Sequence, residues 1–152
     1  MSVTAKDCMS RDVKYVSPEM NAKDALKVLI ESGASGLPVM NPDGEILGVF
    51  TEKEILKTIL PSYLKGVGNF VYGDDSKVTL KKLANLDKFQ VKDIMRKEVP
   101  IVTEDTSVAE ISRLMLARSE RRVMVVRENK AVGVVTRADV VRALARQAGL
   151  DF

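Results

Sequence analysis

A mixed α/β (α+β) fold is predicted, made of two pseudo-symmetric βαββα units packed sheet to sheet. Three observations predict it. The first is an internal repeat: Lys6-Asp7-Cys8-Met9 returns as Lys92-Asp93-Ile94-Met95, Val16-Ser17 as Val102-Thr103, and Gly48-Val49-Phe50-Thr51 as Gly133-Val134-Val135-Thr136. The second is the alternation, within each copy, of β-branched runs with apolar residues at helical spacing. The third is size. In a chain of 152 residues neither copy has enough residues for a comfortable core, so the two are expected to share one.

Each copy opens with a short strand, Lys14 to Ser17 or Pro100 to Thr103. A helix follows. Its apolar face is Ala22, Ala25, Leu26, Leu29 and Ile30 in the first copy, and Val108, Ile111, Met115 and Leu116 in the second. Ser107 and Glu110 form the Ser-x-x-Glu pattern of a capping box, Asn21 and Asp24 hold the matching places, and Gly33 is placed to stop the first helix. Two strands joined by a turn come next: Leu37 to Met40 with Ile46 to Phe50, and Val123 to Val126 with Ala131 to Val135. Their apolar, β-branched character suits strands covered on both faces. The only length difference between the copies falls at this turn, where it is cheap. A last helix starts after Thr51 or Thr136 and carries Ile55, Leu56 and Ile59, or Val140, Val141 and Leu144.

The units run over 6–60 and 92–147, with a structured connecting insertion over 61–91. Pro61 and glycines 66, 68 and 73 interrupt this insertion, yet it holds Tyr63, Phe70, Tyr72 and Phe89. A flexible linker would not keep that apolar load, so the segment is expected to fold back onto the units. Gly66-Val67-Gly68 is not a dinucleotide fingerprint, because Val71 stands where the third glycine belongs.

Composition excludes several classes. There is no histidine, so the commonest metal ligand and general base are both missing, and no nucleophile–base pair stands out; an enzyme is not expected. Cys8 is the sole cysteine, which rules out an intramolecular disulfide. It reads as a small buried hydrophobe, and the methionines at 9, 20, 40, 95, 115 and 124 read as core. No apolar run reaches a membrane span and no secretory leader is visible, so the expected location is cytoplasmic, without a membrane partner. A net charge of +3 spread over interleaved charges is too mild for a nucleic-acid binder recognised by charge.

Asp-x-Met opens each copy and Gly-h-h-Thr-x-x-Asp closes the second. Repeated in the same order and spacing, these motifs resemble a tandem CBS-domain pair, a Bateman module. The resemblance covers nearly the whole chain. It implies two symmetry-related clefts that take AMP, ADP, ATP, S-adenosylmethionine or a related adenosyl ligand. It also implies a ligand-gated regulatory role and pairing into homodimers, with the signal leaving through dimer geometry, the 60–91 segment or a separate protein target.

By that resemblance the main cleft has Thr136 and Asp139 as its ribose and phosphate end. It borrows Ser10, Lys14, Ala34, Ser35, Gly36 and Pro38 from the first copy, with Lys53 within reach of a phosphate. A carboxylate can accept both ribose hydroxyls, and a helix N-terminus favours an anion. Thr-x-x-Asp is equally a helix-capping pattern, and the two roles can coexist. Small residues at 34 to 36 would admit an adenine edge, or simply make a tight helix–strand turn. The second cleft has Thr51, Glu54, Pro100, Arg121, Arg122 and Arg137. Here Glu54 replaces the aspartate, so this cleft is expected to be the weaker one, with Glu54 serving as a capping residue. The arginines suit phosphates, or surface pairing with Glu110, Glu120 or Glu128. The alternative function is a protein-interaction module whose clefts are vestigial.

Overall fold

The computed structural model describes residues 3–60 and 76–150. Tyr63, Phe70, Tyr72, Pro61 and the three glycines of the insertion lie outside the described residues. The chain divides into two compact units. A first-repeat unit holds 15–41 and 47–97, and a second-repeat unit holds the chain start to Lys14, then 42–46, then 98 onward.

The elements of the first-repeat unit are α2 (Ala22–Ser32), β1 (Gly36–Met40), β2 (Ile46–Thr51), α3 (Glu52–Ile59), α4 (Ser76–Ala84) and α5 (Val91–Ile94). Those of the second-repeat unit are α1 (Ala5–Cys8), β3 (Ile101–Thr103), α6 (Val108–Arg118), β4 (Arg122–Arg127), β5 (Lys130–Thr136) and α7 (Arg137–Gln147). The mixed helix-and-strand fold expected from the repeat is thus observed, with each strand of the two hairpins within one or two residues of its expected limits.

The second-repeat unit has the sheet order β3-β4-β5, with β3 parallel and β5 antiparallel to β4. The β4–β5 turn places Glu128 (φ 52°) and Asn129 (φ 65°) in the left-handed region, which is the pattern of a type I′ hairpin. The first-repeat unit pairs β1 with β2.

The expected first strand over Lys14 to Ser17 is not a strand. Only Val16 bridges β1, in parallel with Val39, through Val16 N–H to Pro38 O (3.1 Å) and Met40 N–H to Val16 O (3.0 Å). The second repeat shows why. There Met124 N–H donates to Pro100 O at 3.1 Å and extends the β3–β4 ladder. The residue matching Met124 is Pro38, which has no N–H to give to Lys14.

The opening segments are exchanged. The first repeat's Lys-Asp-x-Met lies in the second-repeat unit, where Ala5 N–H bonds Thr106 O (2.8 Å), Lys6 N–H bonds Glu104 O (3.0 Å), and Ser10 pairs both ways with Val134 (2.9 and 3.0 Å). The second repeat's copy lies in the first-repeat unit: Val91 N–H bonds Met20 O (2.9 Å), Lys92 N–H bonds Pro18 O (2.9 Å), and Arg96 pairs both ways with Val49 (2.9 and 2.8 Å). Each core follows this exchange. Val91 and Ile94 complete the cluster around Phe50, Leu29 and Val39, while Ala5 completes the one around Ile111, Val123, Val125 and Val135. Leu86 joins the first cluster and Leu83 packs against it, so this end of the 61–91 segment lies on the first-repeat core.

Several expected core positions face outward. Ile30 is 69% exposed and its counterpart Leu116 is 78% exposed; Leu56, Val141 and Leu144 are exposed as well. The buried residues of α2 are Ala22, Ala25 and Leu29, and those of α6 are Val108, Ile111 and Met115, a stripe too narrow to take in the flanking position. Met40, Met115 and Met124 are buried, and Met9, Met20 and Met95 pack against the cores. Gly33 ends α2 in the left-handed conformation (φ 73°) as expected, whereas Ser119 (φ 54°) does the same for α6 without being glycine. The Ser107–Glu110 box closes on one side only. Ser107 Oγ accepts from Glu110 N (3.1 Å), but the Glu110 carboxylate turns to Arg113 (2.7 Å). Among the described residues no helix is long and apolar enough to cross a membrane.

The exchange accounts for the glycine that opens each Gly-h-h-Thr. A Cβ at Gly48 would sit 2.6 Å from Arg96 O and 3.0 Å from Met95 Sδ; one at Gly133 would meet Met9 Sδ at 2.5 Å and Ser10 O at 3.0 Å. A methionine sulfur can swing aside, whereas the Arg96 carbonyl is held by its pairing with Val49. Both alanine substitutions are therefore expected to destabilise, by about 1–3 kcal/mol, with Gly48→Ala toward the upper end. Urea denaturation of the two variants checks the ranking.

Candidate functional site

The strand–helix corners carry the candidate residues. β5 runs into α7 at Thr136, which is half-buried and caps the helix: its Oγ1 accepts from Asp139 N (3.2 Å), and Asp139 Oδ2 accepts from Thr136 N–H (2.9 Å). The expected capping role is therefore realised in full. Asp139 Oδ1 meets Arg142 Nη1 at 3.2 Å, and the aspartate side chain remains 19% exposed. Ser10 is brought alongside by its pairing with Val134, two residues before Thr136, and is exposed, as is Lys14. Arg137 N–H bonds Arg121 O (3.0 Å) and its Nε bonds Glu120 O (3.0 Å), so Arg121, Arg122 and Arg137 gather at one corner, with Arg137 clasping the α6–β4 junction. Pro100 is buried beside β4, where its carbonyl accepts from Met124 N–H. Of the acids weighed as surface partners, Glu110 is taken by Arg113, while Glu104 takes Arg127 at 2.6 Å.

The first-repeat unit repeats this corner. Glu52 N–H bonds Ser35 O (2.9 Å), the counterpart of the Arg137–Arg121 bond, and sets Thr51 beside the Ala34-Ser35-Gly36 turn. Gly36 and Pro38 are buried, Ala34 and Ser35 half-buried, and Lys53 exposed. Thr51 Oγ1 accepts from Glu54 N at 3.2 Å. The return bond made by Asp139 has no counterpart among the described residues. The longer glutamate side chain instead lies 3.9 Å from Lys57 Nζ, and Glu54 is only 8% exposed. The expectation of a complete capping box at Thr51 is thus corrected. The extra methylene carries the carboxylate past the Thr51 N–H and into the packing of α3.

The second-repeat unit also contains a cavity of about 370 Å³ between α1 and the face of α7 that bears Asp139. Asp7, Cys8, Met9, Arg142 and Arg146 share its lining with Asp139. Asp7, Arg142 and Arg146 are not among the site residues expected from the sequence motifs. The spacing of 139, 142 and 146 along one helical face was a signal available for the two arginines. Asp7 Oδ2 accepts from Thr4 N–H (2.9 Å) and Thr4 Oγ1 (3.1 Å), and these bonds hold its carboxyl below the usual carboxylate range. Burial raises the Cys8 thiol above its ordinary value, and the Asp139 and Asp7 carboxylates push it the same way. Cys8 is only half-buried, short of the buried position expected, because this cavity opens beside it.

Comparison with known proteins follows the same repeat. The CBS domain family matches the chain twice, at residues 5–61 and 91–146. An uncharacterised protein of Methanocaldococcus jannaschii is 29% identical over 91% of this chain and 89% of its own length. The CBS domain-containing protein CBSX2, chloroplastic, of Arabidopsis thaliana is 29% identical over 88% of this chain, which spans only 59% of that protein. A crystal structure of CBSX2 in complex with AMP superposes with a TM-score of 0.72 at 27% identity, covering 94% of this chain and 97% of that one.

Asp139→Ala is expected to cost about 1 kcal/mol of stability through loss of the α7 cap. Asp139→Asn is expected to speed alkylation of Cys8 by iodoacetamide at mildly alkaline pH. It removes one of the charges that hold the thiol protonated, and the reactive species is the thiolate. Thermal melts and alkylation time courses check the two outcomes.

Proposed function

The chain belongs to the CBS-domain family, and we propose that it is a regulatory module binding an adenine nucleotide or a related adenosyl ligand. AMP, ADP, ATP and S-adenosylmethionine are the ligands to be distinguished. The observation that carries this reading is the Thr136–Asp139 corner. It offers a partly exposed carboxylate, whose orientation is fixed by the helix cap, beside the N-terminus of an eleven-residue helix. Ribose hydroxyls suit the carboxylate, and phosphates suit the helix end and Lys14. The AMP complex of CBSX2, similar over almost the whole chain, supports the ligand class. Ser10, Lys14, Ala34, Ser35, Gly36, Pro38 and Lys53 are the further residues proposed for this site. Thr51, Glu54, Pro100, Arg121, Arg122 and Arg137 are proposed for a weaker second one.

The burial of Glu54 favours another reading for that second set. A carboxylate packed into α3 beside Lys57 is poorly placed to meet ribose hydroxyls, so these residues serve structure or a protein partner. Regulation then runs through the Asp139 site. The ligand acts by binding one conformation of the module better than another, and can shift the balance only by that difference in affinity. We propose a cytoplasmic location for the module, on the absence of a membrane-length helix among the described residues.

Isothermal titration of AMP, ADP, ATP and S-adenosylmethionine is expected to show binding of at least one, weakened more than tenfold by Asp139→Ala through the lost charge-assisted bonds. Thr51→Ala is expected to change that affinity little. Absence of binding by all four ligands counts against the reading and for a protein-interaction module. A homodimer is also proposed, because the exposed apolar positions fall at matching places in the two repeats: Ile30 with Leu116, and Leu56 with Val141. Sedimentation of Leu116→Glu is expected to give a monomer where the unsubstituted protein gives a dimer.

A further inference from the structure

We infer that Met9 is a site of methionine oxidation, and that its sulfoxide loosens the chain's opening segment from β5. The oxidant is hydrogen peroxide. The thioether sulfur gives a lone pair to one peroxide oxygen and the O–O bond breaks. The sulfur is oxidised to the sulfoxide and the peroxide is reduced to water. This chemistry is independent of whether a nucleotide binds.

Met40, Met115 and Met124 are buried, whereas Met9, Met20 and Met95 are half-buried. Met9 is set apart by what surrounds it. A Cβ on Gly133 would meet Met9 Sδ at 2.5 Å and Cγ at 2.9 Å, closer than the nearest backbone atom, Ser10 O at 3.0 Å. The thioether therefore lies directly on the glycine. At Gly48 the backbone comes first, with Arg96 O at 2.6 Å, and Met95 Sδ stands at 3.0 Å. Met9 also lines the cavity of about 370 Å³ beside α1, which has room for an oxidant as small as peroxide. One face of the sulfur is thus closed by Gly133, and the side chain is reached from the cavity. Oxygen added to one face or the other gives a different sulfoxide epimer. Oxidation of the folded chain therefore yields one epimer in excess.

The neighbouring Cys8 does not intercept the oxidant. Peroxide is reduced by a thiolate, whereas a thioether needs no ionisation. Burial first, and then the Asp139 and Asp7 carboxylates, oppose ionisation of this thiol. Oxidation turns the apolar Met9 side chain into a polar one. Its added oxygen has no room against Gly133, so the oxidised side chain turns away into the cavity. Met9 directly precedes Ser10, whose two-way pairing with Val134 (2.9 and 3.0 Å) holds α1 to β5. Loss of the glycine contact loosens that bridge.

The test treats the full chain with hydrogen peroxide at about pH 6, where the thiolate is scarcer still. Timed samples are digested and each methionine and Cys8 is read by mass spectrometry. Met9 is expected to oxidise several-fold faster than Met20 or Met95, with Met40, Met115 and Met124 slower again and Cys8 still a thiol. Methionine sulfoxide reductases A and B, each specific for one epimer, are then applied separately to the Met9 peptide. One of them is expected to repair most of it and the other little. The oxidised chain is expected to melt about 2–4 °C lower, and Met9→Leu to keep its midpoint under the same treatment. Equal rates at Met9 and Met95, prior oxidation of Cys8, or equal repair by the two reductases would overturn the assignment of the site. A fall in midpoint that is the same for Met9→Leu would overturn its link to the opening segment.

Discussion

Everything in this protein hangs on the pairing of each repeat's opening segment with the last strand of the other repeat's unit. Ser10 on Val134 and Arg96 on Val49 are single antiparallel bridges, each made of two hydrogen bonds. They are narrow contacts, but they hold a methionine flat against a glycine in both cases, and the small helix before that methionine fills the end of the core. Sequence, packing and site meet here. The strand that takes the bridge turns directly into the helix that Thr51 or Thr136 caps, so the bridge also fixes the corner proposed here for a ligand.

Much of the architecture was legible from the residues. The repeat located every strand–helix corner, because the chemistry that builds such a corner is local: an apolar strand, then a hydroxyl that caps, then an acid three places on. The Thr136–Asp139 corner is the clearest case, and its geometry follows the pattern to the last bond. Lys14 to Ser17 was less legible. Its composition is that of a strand, yet its neighbour Pro38 withholds the hydrogen bond that would extend it. That information sits more than twenty residues away and belongs to the partner strand. The same kind of distance hid the exchange. Nothing in Lys6-Asp7-Cys8-Met9 states that its partner strand is β5 rather than β2.

Side-chain detail was legible in proportion to how local its causes are. Glu110 and Glu54 stand where a capping box wants them, but each has a lysine or arginine three residues further along the same helix. The competing ion pair wins the Glu110 carboxylate, and burial takes that of Glu54. The outward positions Ile30, Leu116, Leu56 and Val141 were misread for a different reason. Helical periodicity gives the centre of an apolar face well and its edges poorly, since an edge residue is covered only if a neighbour happens to reach it. Arg142 and Arg146 escaped notice because their interest comes from a cavity formed with α1, an element from the opposite end of the chain.

The exchanged segments also bear on how the chain comes to be folded. As it leaves the ribosome, the first-repeat unit lacks Val91 and Ile94 until nearly two thirds of the sequence has been made, although most of its own strands and helices are already present. The opening Ala5–Cys8 helix waits longer still, for a strand and helix near the chain's end. Contacts between such remote segments raise the contact order and slow the search for the native state. The first-repeat unit is therefore complete only once residue 97 has been made. The same exchange defers completion of the second-repeat unit until α7 has emerged.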